Sequence, residues 1–324
     1  ETVALPYFDF VNGLLGDREA RFFFAWLKHI IEKPNKPTRV AIILSGLEGT
    51  GKSTMFDFIR YHVLGTNVTA QTAKIEDLTE KHSNIQENRL LIQFDEIKPA
   101  FFNRNPEMFK NLITGTDIRV NHKNLTIQEL PNYCNYVFTT NSKVPLILSD
   151  SDRRYVLIKV SDKYRMDSSF WTQFKEKVMT DTVGKAVQQK LMDTDYSHLE
   201  PLEFHRPITE LYNEIKVMSI PNHFKFLSYF SRTHQSGCYP GRDLQMYYAA
   251  WCRLRSIEPH IRNFMLELQK IKDGDKTGIT RKRETSGTKY TINVQKLEEY
   301  LDSINQYHES DMDGYRMSKR QKME

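Results

Sequence analysis

Residues Gly46-Leu47-Glu48-Gly49-Thr50-Gly51-Lys52-Ser53 follow the pattern G-x-x-x-x-G-K-[ST]. The three glycines let the backbone curl so that successive N–H groups face inward. Those dipoles, with the positive end of a following helix, stabilise polyphosphate. Lys52 is suited to the β- and γ-phosphates, and the Ser53 hydroxyl to Mg2+. The expected nucleotide-holding set is Gly46, Glu48, Gly49, Thr50, Gly51, Lys52, Ser53 and Thr54, with ATP and Mg2+ as ligands. Such a loop is specific for nucleotide binding and says little about what the nucleotide does.

Further along, Asp95-Glu96 closes the apolar run LLIQFD. Asp95 is expected to hold Mg2+, and Glu96 to act as the general base that polarises an attacking water. Two adjacent carboxylates beside a metal-bound triphosphate suit hydrolysis; the plain alternative is an acidic loop start. Asn141 ends NYVFTTN, where an amide both donates and accepts and can hold a lytic water or a γ-phosphate. Arg153-Arg154 follows twelve residues later, ahead of YVLIKV. These guanidiniums read either as surface charge or as a finger reaching a neighbouring subunit's site.

The elements that must position these groups are legible as runs. Residues 39–45 (RVAIILS), 90–95 and 135–140 are short, apolar and partly β-branched, as buried parallel strands are. KSTMFDFIRYHVLG, after the glycine loop, has a helical pattern. Strand–helix–strand alternation over 39–160 implies an α/β fold with a parallel sheet. Residues 7–32 carry Leu14, Phe22, Trp26 and Ile30 at helical spacing, and KPNKPT at 33–38 ends that segment. Residues 168–217 read as helical. Beyond 221, two helical patterns lead to a ribbon rich in Gly, Lys and Arg (KDGDKTGITRKRETSGTKYTI) and a last helix, VQKLEEYL. Helix, helix and basic β-ribbon is the pattern of a winged-helix module. Arg281 and Lys282 in that ribbon are candidate contacts to a DNA backbone, or members of a solvated hairpin. Trp251, Tyr247, Tyr248 and Cys252 lie on a helical pattern and are expected in its core.

Composition limits the alternatives. The chain has 324 residues, 39% hydrophobic and 27% charged, with a net charge of +5, which suits two or three domains and is compatible with nucleic acid. Aromatics at 12% supply cores, so global disorder is excluded. No apolar run has the length of a membrane span, so no membrane partner is expected. The three cysteines form no CxxC pair, which speaks against a disulfide framework or a zinc site and for a reducing, intracellular setting, cytoplasmic or nuclear. Glu1 rather than Met at the start, with no secretory leader after it, reads as a piece of a longer polypeptide.

The order of these motifs resembles the superfamily 3 helicases, an AAA+ branch found in viruses and plasmids, and within it the helicase half of poxvirus-type and phage or plasmid primase-helicases. GLEGTGKST is similar to their first motif, LLIQFDE to the second, and NYVFTTNSKVP to the third. FKNLITGTDIRVNHKN resembles the intervening helix and hairpin, and SDSDRRYVLIKV the arginine segment. The usual Gly before the double Arg is replaced by Asp150-Ser151-Asp152, which leaves open which Arg is the finger. The resemblance covers about residues 38–300. It implies an ATP-dependent DNA helicase, a homo-hexamer with ATP at subunit interfaces, single-stranded DNA in a central channel and 3′→5′ movement. It also implies a hairpin entering that channel, with its tip near His122, Lys123 and Asn124. A primase or polymerase domain upstream on the same chain is a further implication.

On this reading 1–37 is an N-terminal helical segment, 38–165 the AAA+ core and 166–220 a helical region. Residues 221–303 are the winged-helix-like module and 304–324 a polar, flexible tail. Two other readings use the same loop: a P-loop kinase for a small molecule, and a DNA-binding ATPase switch without unwinding.

Overall fold

The apolar runs before the glycine loop and around 90–95 and 135–140 form strands of one sheet. The computed structural model describes residues 2–78, 84–121, 126–149 and 152–304. They fall into two units, Glu1–Ile215 and Lys216–Glu324.

In the first unit the strands are β1 (Ala41–Ser45), β2 (Thr69–Thr72), β3 (Leu91–Phe94), β4 (Asp117–Val120), β5 (Gln128–Pro131), β6 (Asn135–Thr140) and β7 (Tyr155–Lys159). Five of them make a sheet in the order β2-β3-β6-β1-β7, every neighbouring pair parallel. Because side chains alternate along a strand, β1 sends Ile42 and Leu44 to one core, and Ala41 and Ile43 to the other. Covered on both faces, the sheet needs continuous apolar strands, and β1, β3 and β6 are buried throughout. The edge strand β2 (TAQT) escaped the sequence reading, since it is short, polar and only half-buried.

Helices Leu5–Leu15 and Asp17–Glu32 of the N-terminal segment pack on the Ile42 side of this core. The Trp26 indole donates to the Val40 carbonyl at 3.0 Å, and the Tyr7 hydroxyl to the Met55 carbonyl at 3.0 Å. The opposite face is closed by helices Pro106–Thr114 and Glu210–Ser219, through Phe109, Ile113, Leu211 and Ile215. The helix after the glycine loop, Lys52–Phe58, passes without a break into a π-helical segment, Ile59–Leu64. Expected helices in 168–217 include Ser168–Lys177, Asp181–Asp193 and Leu202–His205.

Strands β4 and β5 pair as the expected antiparallel hairpin, with Ile118 opposite Leu130. Buried Asn132 anchors its base, donating to the Leu112 and Gly115 carbonyls at 3.2 and 3.0 Å. The tip residues His122, Lys123 and Asn124 lie outside the described residues, as do Asp150, Ser151 and the tail from 305 onward.

The second unit contains helices Asn222–Thr233, Gly241–Leu254, Ile261–Lys270 and Val294–Ser303. With them runs an antiparallel sheet of β8 (Gly237–Pro240), β9 (Ile279–Glu284) and β10 (Gly287–Ile292), ordered β8-β10-β9. Phe226, Phe230, Phe264 and Tyr290 build its core with Trp251, Tyr248 and Cys252. Tyr247, expected in that core, is instead 39% exposed, its ring centroid 4.9 Å from that of His234. No helix among the described residues is long and apolar enough to cross a membrane.

Candidate nucleotide site

Parallel order brings the carboxyl ends of β3, β6 and β1 side by side, and the candidate chemistry stands on the loops leaving them. That is where an open α/β sheet offers a crevice. Lys52 follows β1 through the glycine loop, Asp95-Glu96 follows β3 and Asn141 follows β6.

Lys52 is 8% exposed and folded back on its own loop. Its Nζ donates to the Gly46 carbonyl at 2.6 Å, the Leu47 carbonyl at 2.7 Å and Asn141 Oδ1 at 3.2 Å. Burial lowers the pKa of this ammonium, while the carboxylates of Glu48, Glu96 and Asp95 oppose the shift. Asn141 in turn donates from Nδ2 to Glu48 Oε1 at 3.1 Å. Lys52, Asn141 and Glu48 are therefore one hydrogen-bonded cluster. Ser53 is exposed at the start of the helix and Thr54 half-buried behind it. The first-turn amides of a helix lack intrahelical partners.

The loop has no room for a side chain at Gly51. Its φ is +103°, and an added Cβ would stand 2.5 Å from the Trp171 ring and 3.2 Å from Phe10. Neither neighbour was foreseen, because both come from helices remote in sequence. Arg165 was also missed; its Nε donates to the Glu48 carbonyl at 3.1 Å. The curled backbone, the buried lysine and the exposed hydroxyl at the helix start fit a polyphosphate carrying a divalent cation.

Asp95 is held by several donors. Gln93 Nε2 and Thr139 Oγ1 reach its Oδ1 at 2.7 and 3.1 Å, and Gln71 Nε2 reaches Oδ2 at 2.6 Å. Gln93, a polar residue inside an apolar strand, was the one signal of this shell in the sequence. Thr139 also accepts from the Glu96 N–H at 3.2 Å. Glu96 has φ +54°, a left-handed conformation uncommon for a residue with a side chain, and its carboxylate is exposed. Asp57, four residues beyond Ser53, is pushed up in pKa first by burial and then by Asp95, with Arg60 opposing.

The arginine pair stands elsewhere. The Ala41 N–H donates to the Arg154 carbonyl at 2.8 Å, so the pair lies at the amino end of β1 and the glycine loop at its carboxyl end. Four steps along a parallel strand span about 13 Å. Arg154 turns inward, donating from Nη2 to buried Asp152 at 2.5 Å. Arg206 locks this corner through the Asp152 carbonyl at 2.6 Å and the Tyr155 carbonyl at 3.2 Å. Arg153 is exposed, its guanidinium 5.7 Å from the ring centroid of Phe204. In the second unit, Lys282 lies 3.6 Å from Glu284, which also pairs with Lys289 at 2.8 Å, and Arg281 is half-buried with its Nε shielded from solvent.

The chain is similar to several known proteins. A family profile described as a family of unknown function (DUF5906) matches residues 44–154, from the end of β1 to the arginine pair. The chain is 26% identical over 194 residues to the DNA primase-polymerase of Nitratiruptor phage NrS-1. That match covers 57% of this chain and 25% of the phage protein, so the chain spans about a quarter of this relative's length. Two apo structures of the NrS-1 C-terminal region share the fold. One superposes with a TM-score of 0.62 at 15% identity, covering 90% of this chain and 75% of that one. The other has a TM-score of 0.63 at 17% identity, covering 90% and 74%.

Proposed function

We propose that the first unit is an ATP hydrolase that drives movement on DNA. The observation that carries this is the convergence of Lys52, Asn141 and Glu48 with Asp95-Glu96 at the ends of three adjacent parallel strands. On binding ATP, Lys52 exchanges its two loop carbonyls for phosphate oxygens. Ser53 and Asp95 would hold Mg2+, which when bound neutralises charge on the phosphates. Glu96 takes a proton from water, the water oxygen attacks the γ-phosphorus in line, and the bond to the bridging oxygen breaks to leave ADP. Asn141, hydrogen-bonded to both Lys52 and Glu48, would orient that water or the γ-phosphate.

The arginine pair supports a shared site. It is one strand length from its own chain's loop, and so suits the nucleotide of a neighbouring copy in a ring, with a hexamer as the expected form. Arg153 is free to reach outward, whereas Arg154 is engaged with Asp152. The β4–β5 hairpin, fixed at its base by Asn132, is the element we assign to single-stranded DNA, with His122, Lys123 and Asn124 as contacts. A positive hairpin grips phosphate without regard to sequence. The helix–strand–helix–helix–hairpin order of the second unit supports a winged-helix module, with Lys282 and Arg281 as candidate DNA contacts. Likeness to the C-terminal region of a protein called a primase-polymerase supports a replicative role beside a priming domain on the same polypeptide.

The test is the steady-state ATPase rate against single-stranded DNA concentration, with Lys52→Ala as blank. A saturable rise is expected. A rate abolished in the blank but indifferent to DNA would overturn the motor reading and leave a nucleotide switch or a kinase.

A further inference from the structure

One chain of hydrogen bonds beside the site is used by none of the steps above. Arg60 Nη1 donates to Gln71 Oε1 at 2.6 Å, and Gln71 Nε2 donates to Asp95 Oδ2 at 2.6 Å. Arg60 stands in the π-helical segment that continues the Lys52–Phe58 helix, and Gln71 on the edge strand β2. Asp95 follows β3, the neighbour of β2, with Gln71 in register with Gln93. Arg60 is not a surface arginine laid across the strand. Its Nε is shielded from solvent and makes no hydrogen bond among the described residues, and its Nη1 is the atom that meets Gln71.

A glutamine amide has a donor end and an acceptor end of nearly equal shape. Turned over, it would point an oxygen at the Asp95 carboxylate. A guanidinium can only donate, so Arg60 selects the orientation in which Gln71 Oε1 faces it and the NH2 group faces Asp95. We propose that Arg60 and Gln71 form a positioning relay that sets the Asp95 carboxylate against Ser53 for a divalent cation. This rests on the reading of the loop as a nucleotide site. Ser53 and Asp95 come from different elements, and the relay ties the Asp95 carboxylate to the helix that carries Ser53, because Arg60 lies on its continuation. Gln93 and Thr139 hold the other carboxylate oxygen, so Asp95 without Gln71 stays bound at one oxygen and free to rotate about it.

The experiment titrates Mg2+ into the intact protein and follows binding of a fluorescent ADP analogue, with a parallel measurement in excess chelator. In Gln71→Leu the Mg2+ concentration for half-maximal binding is expected to rise about tenfold or more, the usual effect of removing a partner behind a metal ligand. Metal-free binding should be unchanged. Arg60→Met should shift the same midpoint in the same direction. Arg60→Lys serves if either variant fails to fold, since a lysine still donates but does not select the amide end as firmly. An unmoved Mg2+ midpoint in a folded variant overturns the relay. So does an equal loss of metal-free and metal-dependent binding, which marks a strap that merely holds β2 in place. If the unmodified protein binds the analogue in neither condition, the nucleotide-site reading itself has failed, and the relay with it.

Discussion

Lys52 is the residue around which the site is arranged. Two loop carbonyls and the Asn141 amide satisfy its three donors, so the buried cation is fully paired. Lys52→Ala should abolish nucleotide binding in an equilibrium titration. Gly51→Ala should act differently, through the fold. Its φ of +103° and the Trp171 ring 2.5 Å from an added Cβ both oppose a side chain, and a loss of about 2 kcal/mol or more is expected in a urea melt. The lysine, the glycines and the two carboxylates were readable because their chemistry is bound to a spacing of a few residues. Gln71, Arg60, Trp171 and Arg165 were not, since each reaches the site from an element far away in sequence. The π-helical turn carrying Arg60 has no residue pattern of its own.

Elements differ in how openly they declare themselves. Strands β1, β3 and β6 are buried on both faces and therefore read as unbroken apolar runs. β2 sits at the edge, where one face and one ladder side are relieved of burial, and TAQT carries no such run. Side-chain ties then hold the elements together. Buried Asn135 accepts from the Thr38 N–H and hydroxyl, both at 2.8 Å, and donates to the Leu90 carbonyl at 3.0 Å, joining the starts of β6, β3 and the approach to β1. Asn135→Ala leaves the Thr38 N–H without its partner and should cost about 1–3 kcal/mol in equilibrium unfolding. Glu200 makes a tie that depends on pH. Lys33 at 2.6 Å first, and His29 with it, hold its carboxyl below the ordinary value of 4.5. A depressed folded pKa gives a contribution present above pH 4.5 and lost as the pH falls through the lower folded value. Glu200→Gln should flatten that part of the stability–pH curve while changing nothing in the nucleotide titration.

At the scale of the whole molecule, the arginine pair and the glycine loop stand at opposite ends of β1, and on the proposed reading each would act with its counterpart on a second copy. Subunits carrying Lys52→Ala, mixed with subunits carrying Arg153→Ala, should regain turnover that neither has alone. Arg154→Ala should instead destabilise the fold, by about 3 kcal/mol, because buried Asp152 loses its charge partner and keeps only the backbone N–H of residue 154. The ring is an expectation drawn from the resemblance alone. The two units have separate cores, and residues 216–324 expressed alone should melt cooperatively. Trp171 has one more consequence. Of the three tryptophans, Trp26 and Trp251 are sealed in cores, while Trp171 is part-buried against the glycine loop. On the proposed reading its indole is a built-in optical reporter: filling the loop should alter the light this residue emits, and Trp171→Phe should abolish that change.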